Sequence, residues 1–315
     1  MDPFCEVAGR RPPIRSTSAT MDEQTLAWWQ RQDMQGARAL VLSSLAFSLM
    51  TVCVKQLGGR IPVSEIVLVR SVVSIALTGT AMTNGGINPL GNNRRLLLLR
   101  GICGSVALLC FFEAITALPL ASATVLQYTY PTFTAAAAWL LLGESLRGRI
   151  GLAVLLGWIG VVFVIQPEWL GSGQNGLALR PVLAALGGAL FTALAYVCVR
   201  RLSAKEHPLV IILYFPLVSI PLTLPMVLHS GVWPSAVDWI WLLGVGVLTQ
   251  LGQIWVTKGL SCLPAARATS LNYVQVLFAA SWGLIWFNES ITAFTCVGAA
   301  LVLGASFISL SSRQP

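Results

Sequence analysis

Charge is scarce in this chain: Asp, Glu, Lys and Arg together make up 10% of its 315 residues, where a soluble globular protein carries about 25%. There are two histidines, and no apolar run holds an HxxE-like cluster or paired aspartates, which argues against metal or acid-base catalysis within a membrane. No GxxxxGK[ST] occurs, so a phosphate-cradling loop and nucleotide hydrolysis are not expected. Seven cysteines (Cys5, Cys53, Cys103, Cys110, Cys198, Cys262, Cys296) lie scattered, mostly inside apolar runs and without CxxC or CxxH spacing. They read as small apolar packers rather than metal ligands or disulfides. The polar residues 1–36 lack a short apolar stretch with a small-residue cleavage site, so no cleavable signal is expected and the first span would act as an uncleaved anchor.

Apolar sequence is what the chain has in excess, at 56% hydrophobic residues against the roughly 45–50% of soluble proteins. Runs of about 18 to 25 residues, each long enough to cross a ~30 Å hydrocarbon core, recur from Ala37 onward. They predict ten spans, at 37–57, 62–82, 96–117, 119–142, 149–166, 180–200, 208–228, 238–259, 264–287 and 291–310. Pro and Gly mark the breaks between them, as at Gly58-Gly59, Pro119, Pro208 and Pro264, in keeping with turn chemistry. With the N-terminus placed in the cytoplasm, and the tail left out, eleven basic residues fall inside (Arg94, Arg95, Arg100, Arg147, Arg149, Arg200, Arg201, Lys205, Lys258, Arg267, Arg313) and three outside (Lys55, Arg60, Arg180). That asymmetry predicts a multi-pass protein of the cell membrane with both termini cytoplasmic.

At an offset of 145 residues the chain matches itself in two places. LPLASATVLQYTYPTF (118–133) aligns with LPAARATSLNYVQVLF (263–278), continuing to Glu144-Ser145 against Glu289-Ser290, and VCVK (52–55) meets VCVR (197–200). Each half then holds five spans, an odd number, so the second half enters the membrane upside down. The expected fold class is all-α integral membrane, ten transmembrane helices as two inverted five-helix repeats. Its parts are a cytoplasmic, disordered tail at 1–36 and repeats at 37–166 and 180–312. Inverted repeats provide two arrangements around one central site, the basis of alternating access.

With its duplicated A-x-A-T-x-L-x-Y helix ending in Gly143-Glu144 and Asn288-Glu289, its Arg70 early in the second span and its five-plus-five layout, the chain resembles the drug/metabolite transporter superfamily, specifically the EamA-type ten-helix transporters. The resemblance implies secondary transport of amino acids, nucleosides, sugar conjugates or other small metabolites. At the repeat offset Arg70 meets Phe215, so a symmetric pair of arginines is not expected.

Polar residues deep in apolar runs mark the candidate site, since they must find partners there. Gln127 and Tyr128 correspond to Asn272 and Tyr273, each about eight residues, or ~12 Å, into its helix. Gln250 and Gln253, three apart, and Trp255 form a second candidate wall, with Ser48 from the Ser44-Ser48-Thr51 stripe. All of these are candidate substrate contacts, and interhelical hydrogen bonding is the alternative reading. Pro131 removes a helical hydrogen bond and is the candidate hinge. Arg70 needs a partner, with Glu113 first and Glu65 next, either as a structural ion pair or as an anion-binding and proton-coupling group. Glu144 and Glu289, just before spans five and ten, read as carboxylates complementing helix N-termini. Ala153 with Gly157, and Ala300 with Gly304, allow close helix approach, within the monomer or across a homodimer.

These features predict a carrier of a small polar metabolite, amino-acid-like first and nucleotide-sugar or organic-phosphate second, acting as exporter or exchanger. Its partners are then the substrate and membrane lipid, with no nucleic acid, no cofactor and no metal. A channel would want polar stripes along several spans, which are not seen, and an enzyme would want the clusters excluded above.

Overall fold

Hydrocarbon offers no partner to an open backbone, so each apolar run closes its hydrogen bonds within itself as a helix. The computed structural model describes residues 23–130, 133, 148–165, 177–202, 206–262 and 274–311. Among them are ten helices and no strand: α1 (Glu23–Leu57), α2 (Val63–Gly85), α3 (Arg94–Ala117), α4 (Leu120–Gln127), α5 (Gly148–Ile165), α6 (Leu179–Leu202), α7 (Pro208–Ser230), α8 (Ala236–Cys262), α9 (Val274–Phe287) and α10 (Ala293–Ser311). Six carry windows long and apolar enough to cross a membrane, and α5, α9 and α10 contribute shorter apolar stretches. The chain is a multi-pass membrane protein. Helix α1 begins at Glu23, well upstream of 37 and within the stretch expected to be disordered, while its apolar span starts at Met34.

Local chemistry sets the helix ends. Pro62 and Pro119 precede α2 and α4, and Pro208 opens α7, positions where a missing N–H costs nothing. Asn93 caps α3 by accepting from Leu96 N at 3.3 Å. Gly86 closes α2 in the left-handed conformation at φ 62°, which glycine adopts without strain.

The packing repeats with the sequence. Helix α1 packs on α8 as α6 packs on α3, α2 on α8 as α7 on α3, and α1 on α9 as α6 on α4, while α2–α7, α4–α9 and α5–α10 meet across the halves. Exchanging each helix for its repeat partner maps these principal contacts onto one another, as a two-fold relation between halves requires, while lesser ones such as α1–α3 and α4–α10 have no counterpart of similar extent among the described residues. Gly160 of α5 and Gly298 of α10 make a close crossing. A Cβ on either would lie 2.8 or 2.6 Å from the other's carbonyl oxygen. The expected small pair at Ala300 and Gly304 plays no such part, since a Cβ on Gly304 meets nothing within 4 Å. Gly157 is buried, and the Ala153 side chain lies outside the described residues.

Candidate functional site

Helix α4 has eight residues, ~12 Å in length. It gives way at mid-depth to a turn at Tyr128 and Thr129, where the Thr129 hydroxyl donates to the Leu126 carbonyl at 2.7 Å. Such a break is tolerated at membrane depth where it borders a cavity, and Gln127, its last residue, does so. The Gln127 amide Nε2 donates to the Thr192 hydroxyl of α6 at 2.9 Å, and that hydroxyl donates on to the Gly188 carbonyl at 2.7 Å. Gln127 Oε1 is buried without a hydrogen-bond partner among the described residues. Pro131, Asn272 and Tyr273 lie outside the described residues.

The cavity beside Gln127 has a volume of about 660 Å³, within the range of small-molecule sites. Both halves wall it: Phe47 and Met50 from α1, Arg70 from α2, Arg100, Gly104 and Phe111 from α3, Thr192 and Val199 from α6, Ile212 and Phe215 from α7, Thr249, Gln253 and Val256 from α8, and Gln275 from α9. It extends from Gln127 and Gln275 at mid-depth to exposed Pro208, on the face where α6 ends and α7 begins.

Arg70 and Arg100 give the cavity its electrostatic character. Arg70 is 3% exposed, its Nε donates to the Thr249 hydroxyl at 3.3 Å, and its Nη1 is buried without a hydrogen-bond partner among the described residues. The guanidinium carbons of Arg70 and Arg100 lie 4.7 and 4.9 Å from the centroid of one ring, that of Phe215. An aromatic face attracts a cation without occupying its N–H donors. Room for the ring comes from Gly104, where a Cβ would stand 2.8 Å from the Phe215 Cδ2. Pro216 follows inside α7 and cannot donate to the carbonyl of Ile212, a cavity residue.

The expected partners of Arg70 are elsewhere. Glu113 faces Arg180 at 3.8 Å near the surface, and Glu65 accepts from Val232 N at 3.1 Å in the first turn of α2. Depth along a helix located these groups, but direction around it separates them. The same geometry splits the α8 pair. Gln253 shares a face with Thr249 and Val256, four and three residues away, and lines the cavity. Gln250 is 7% exposed and donates to the Thr78 hydroxyl of α2 at 3.3 Å, so it joins helices instead. Ser48 accepts from the Trp282 indole at 3.1 Å and donates to the Leu45 carbonyl at 2.8 Å, again between helices. Tyr128 is buried and is not among the described lining residues, and its hydroxyl donates to Gln275 Oε1, which is at the cavity, at 3.2 Å. Trp255 is not among the lining residues.

Sequence reasoning missed Arg100, which sits behind Arg94 and Arg95 and was counted only as a charge on the cytoplasmic side. It also missed Phe215, Thr192, Thr249 and Gln275. Phe215 had one available signal, its place opposite Arg70 in the repeat.

The face opposite the opening is held by another cluster. Lys55, at the end of α1, pairs with Glu289 and donates to the Leu118 carbonyl at 2.8 Å. The second Glu289 oxygen accepts from Leu120 N at 2.8 Å, so it caps α4 in the other half rather than α10, which it precedes. Glu144 lies outside the described residues.

The EamA-like transporter family matches this chain twice, over residues 34–166 and 179–311. The chain belongs to the EamA-like transporter family. Its relatives include the pseudopaline exporter CntI of Pseudomonas aeruginosa, 31% identical over 89% of this chain and 96% of that protein. Human solute carrier family 35 member G1 is 30% identical over 73% of this chain and 65% of its own length. The S-adenosylmethionine uptake transporter of Rickettsia prowazekii is 23% identical over 89% of this chain. A solved crystal structure at 18% identity aligns over 89% of the chain with a TM-score of 0.59, which supports the fold alone. This family member is a membrane transporter of small metabolites, not an enzyme.

Proposed function

We propose that the chain carries an amino-acid-like metabolite across the cell membrane by alternating access, as an exporter or exchanger, with the cavity around Arg70 as its substrate site. One observation carries the reading: a single cavity walled by both halves brings Arg70, Gln127, Gln253 and Gln275 together and reaches exposed Pro208. Arg70 holds a substrate carboxylate, since a guanidinium fork matches its two oxygens. Gln127, Gln253, Gln275 and Thr249 supply neutral hydrogen bonds for the rest of the molecule. With both termini in the cytoplasm, as the charge asymmetry favours, the cavity faces the cytoplasm and awaits outward-bound cargo. A relative that exports pseudopaline agrees with that direction.

A second reading, exchange of an organic phosphate, gains support from Arg100, which adds a second cation to a cavity where the sequence offered one. Thermal unfolding of the purified protein with amino acids, nucleosides, sugars and phosphate esters tests both readings. A ligand at 100 times its Kd stabilises by about 2.7 kcal/mol. The expected result is a selective shift that Gln127→Ala and Gln253→Ala reduce. A shift of equal size in those variants would place the ligand outside this cavity and overturn the assignment.

A further inference from the structure

Arg70 and Phe215 are repeat counterparts, one offset of 145 residues apart, and they touch: the guanidinium carbon lies 4.7 Å from the ring centroid. A side chain meets its own image only beside a two-fold axis, so the axis relating the halves passes between these two. Their surroundings correspond residue by residue. Arg70 bonds Thr249 of α8, and Phe215 packs on Gly104 of α3, the counterpart of Thr249. On the same two crossings, a Cβ on Gly101 would stand 2.6 Å from Val218 Cγ2, and one on its counterpart Gly246 would stand 2.8 Å from Cβ of Val73, the counterpart of Val218. Only the chemistry differs within this shared frame: the first half supplies a cation where the second supplies an aromatic ring.

A carrier made of inverted halves reorients around a site between them. When the halves exchange conformations, a group away from the axis is carried to a different depth, whereas a point on the axis maps onto itself. We propose that Arg70 holds the anionic group of the cargo on this two-fold axis, in a seat that keeps its depth in both orientations of the carrier. This rests on the cavity being the substrate site. One arginine then serves both faces, and the second half carries Phe215 where a second arginine would stand. Arg70 Nη1, buried without a hydrogen-bond partner among the described residues, is the donor for that group. Thr249 and Phe215 act as positioning residues: the hydroxyl holds Nε, and the ring faces the cation without occupying its N–H groups.

Moving the arginine across the axis tests the proposal. In Arg70→Phe/Phe215→Arg/Gly104→Thr/Thr249→Gly protein each residue takes its counterpart's identity, so composition and the net charge of the cavity are unchanged. Calorimetric titration of the full chain in detergent compares L-leucine with L-leucinamide, and glycerol 3-phosphate with glycerol, each pair differing in one anionic group. Wild type is expected to bind the anionic member of at least one pair about tenfold or more tighter. Arg70→Phe loses that preference, and the exchanged protein regains most of it. An exchanged protein that keeps the Arg70→Phe ratio, or that is not monodisperse although counterparts were traded for one another, overturns the axial seat and leaves the carrier reading in place. A wild type with no preference in either pair, or a preference that Arg70→Phe leaves intact, counts against Arg70 as the anion anchor and so against both.

Discussion

Arg70 is the costliest single residue in the bundle, because an arginine at the centre of a spanning helix costs about 2.5–3.5 kcal/mol on insertion scales. Phe215 offsets about 2 kcal/mol of a desolvated cation, and one long bond to Thr249 adds little. That Gln127, Gln253 and Arg70 sit deep in the bundle was legible from sequence, and the structure lines one cavity with all three. Their directions were not, because depth is one coordinate and helix azimuth is another: Gln250 and Gln253 are close in depth but serve different neighbours. The pair therefore provides a test. Gln253→Ala is expected to cut transport severalfold with little change in Tm. Gln250→Ala instead loses a bond worth about 0.6 kcal/mol, lowering Tm slightly while transport stays close to wild type. Uptake into proteoliposomes, set beside thermal unfolding of both variants, decides the matter; equal transport losses would mean that Gln250 also reaches the substrate.

Helices are the level at which sequence and structure agree best. Hydrophobic length, bounded by Pro and Gly, placed most helix ends within a few residues, since in hydrocarbon there is little alternative to a helix. Departures have local causes. Helix α1 runs on past its apolar span, where water rather than lipid is the solvent. The α4 helix is interrupted by a turn at Tyr128 and Thr129, with Tyr130 and Phe133 helical again, and the repeat match across that segment carried no sign of a break. Close crossings were misplaced from 300 and 304 to Gly160 and Gly298, because a small-residue spacing says that contact is possible, not which turn makes it. Gly160→Leu therefore drives a side chain into the α10 backbone. Overpacking of this kind costs about 1–3 kcal/mol, so Tm is expected to fall, whereas Gly304→Leu leaves it nearly unchanged; denaturation of the two variants in one detergent checks the contrast.

At the scale of the molecule, the two-fold pattern of helix contacts is the structural form of the 145-residue offset, and it was legible before any coordinates. The cross-half cluster was only half legible. Glu289 was recognised as a helix-capping carboxylate, but the capped helix belongs to the other repeat, a relation that no local window contains. Losing the charge in Glu289→Gln weakens the Lys55 pair by about 1–3 kcal/mol, less than the 3–5 of a fully buried pair because both side chains keep some solvent contact. The cavity is then expected to open more often toward that face. In a cysteine-free background carrying Met50→Cys, a membrane-impermeant maleimide applied from the Lys55 side should label the Glu289→Gln protein severalfold faster; unchanged labelling would show that other contacts keep that side shut.

The Glu289 bond to a backbone N–H also bears on what the empty carrier does between loads. To turn around without cargo, the protein must strand a lysine, a carboxylate and the first turn of a helix at once. On the proposed alternating-access reading, reorientation of the vacant molecule is then expected to be its slowest step, and a carrier so built would trade one passenger for another more readily than return unaccompanied.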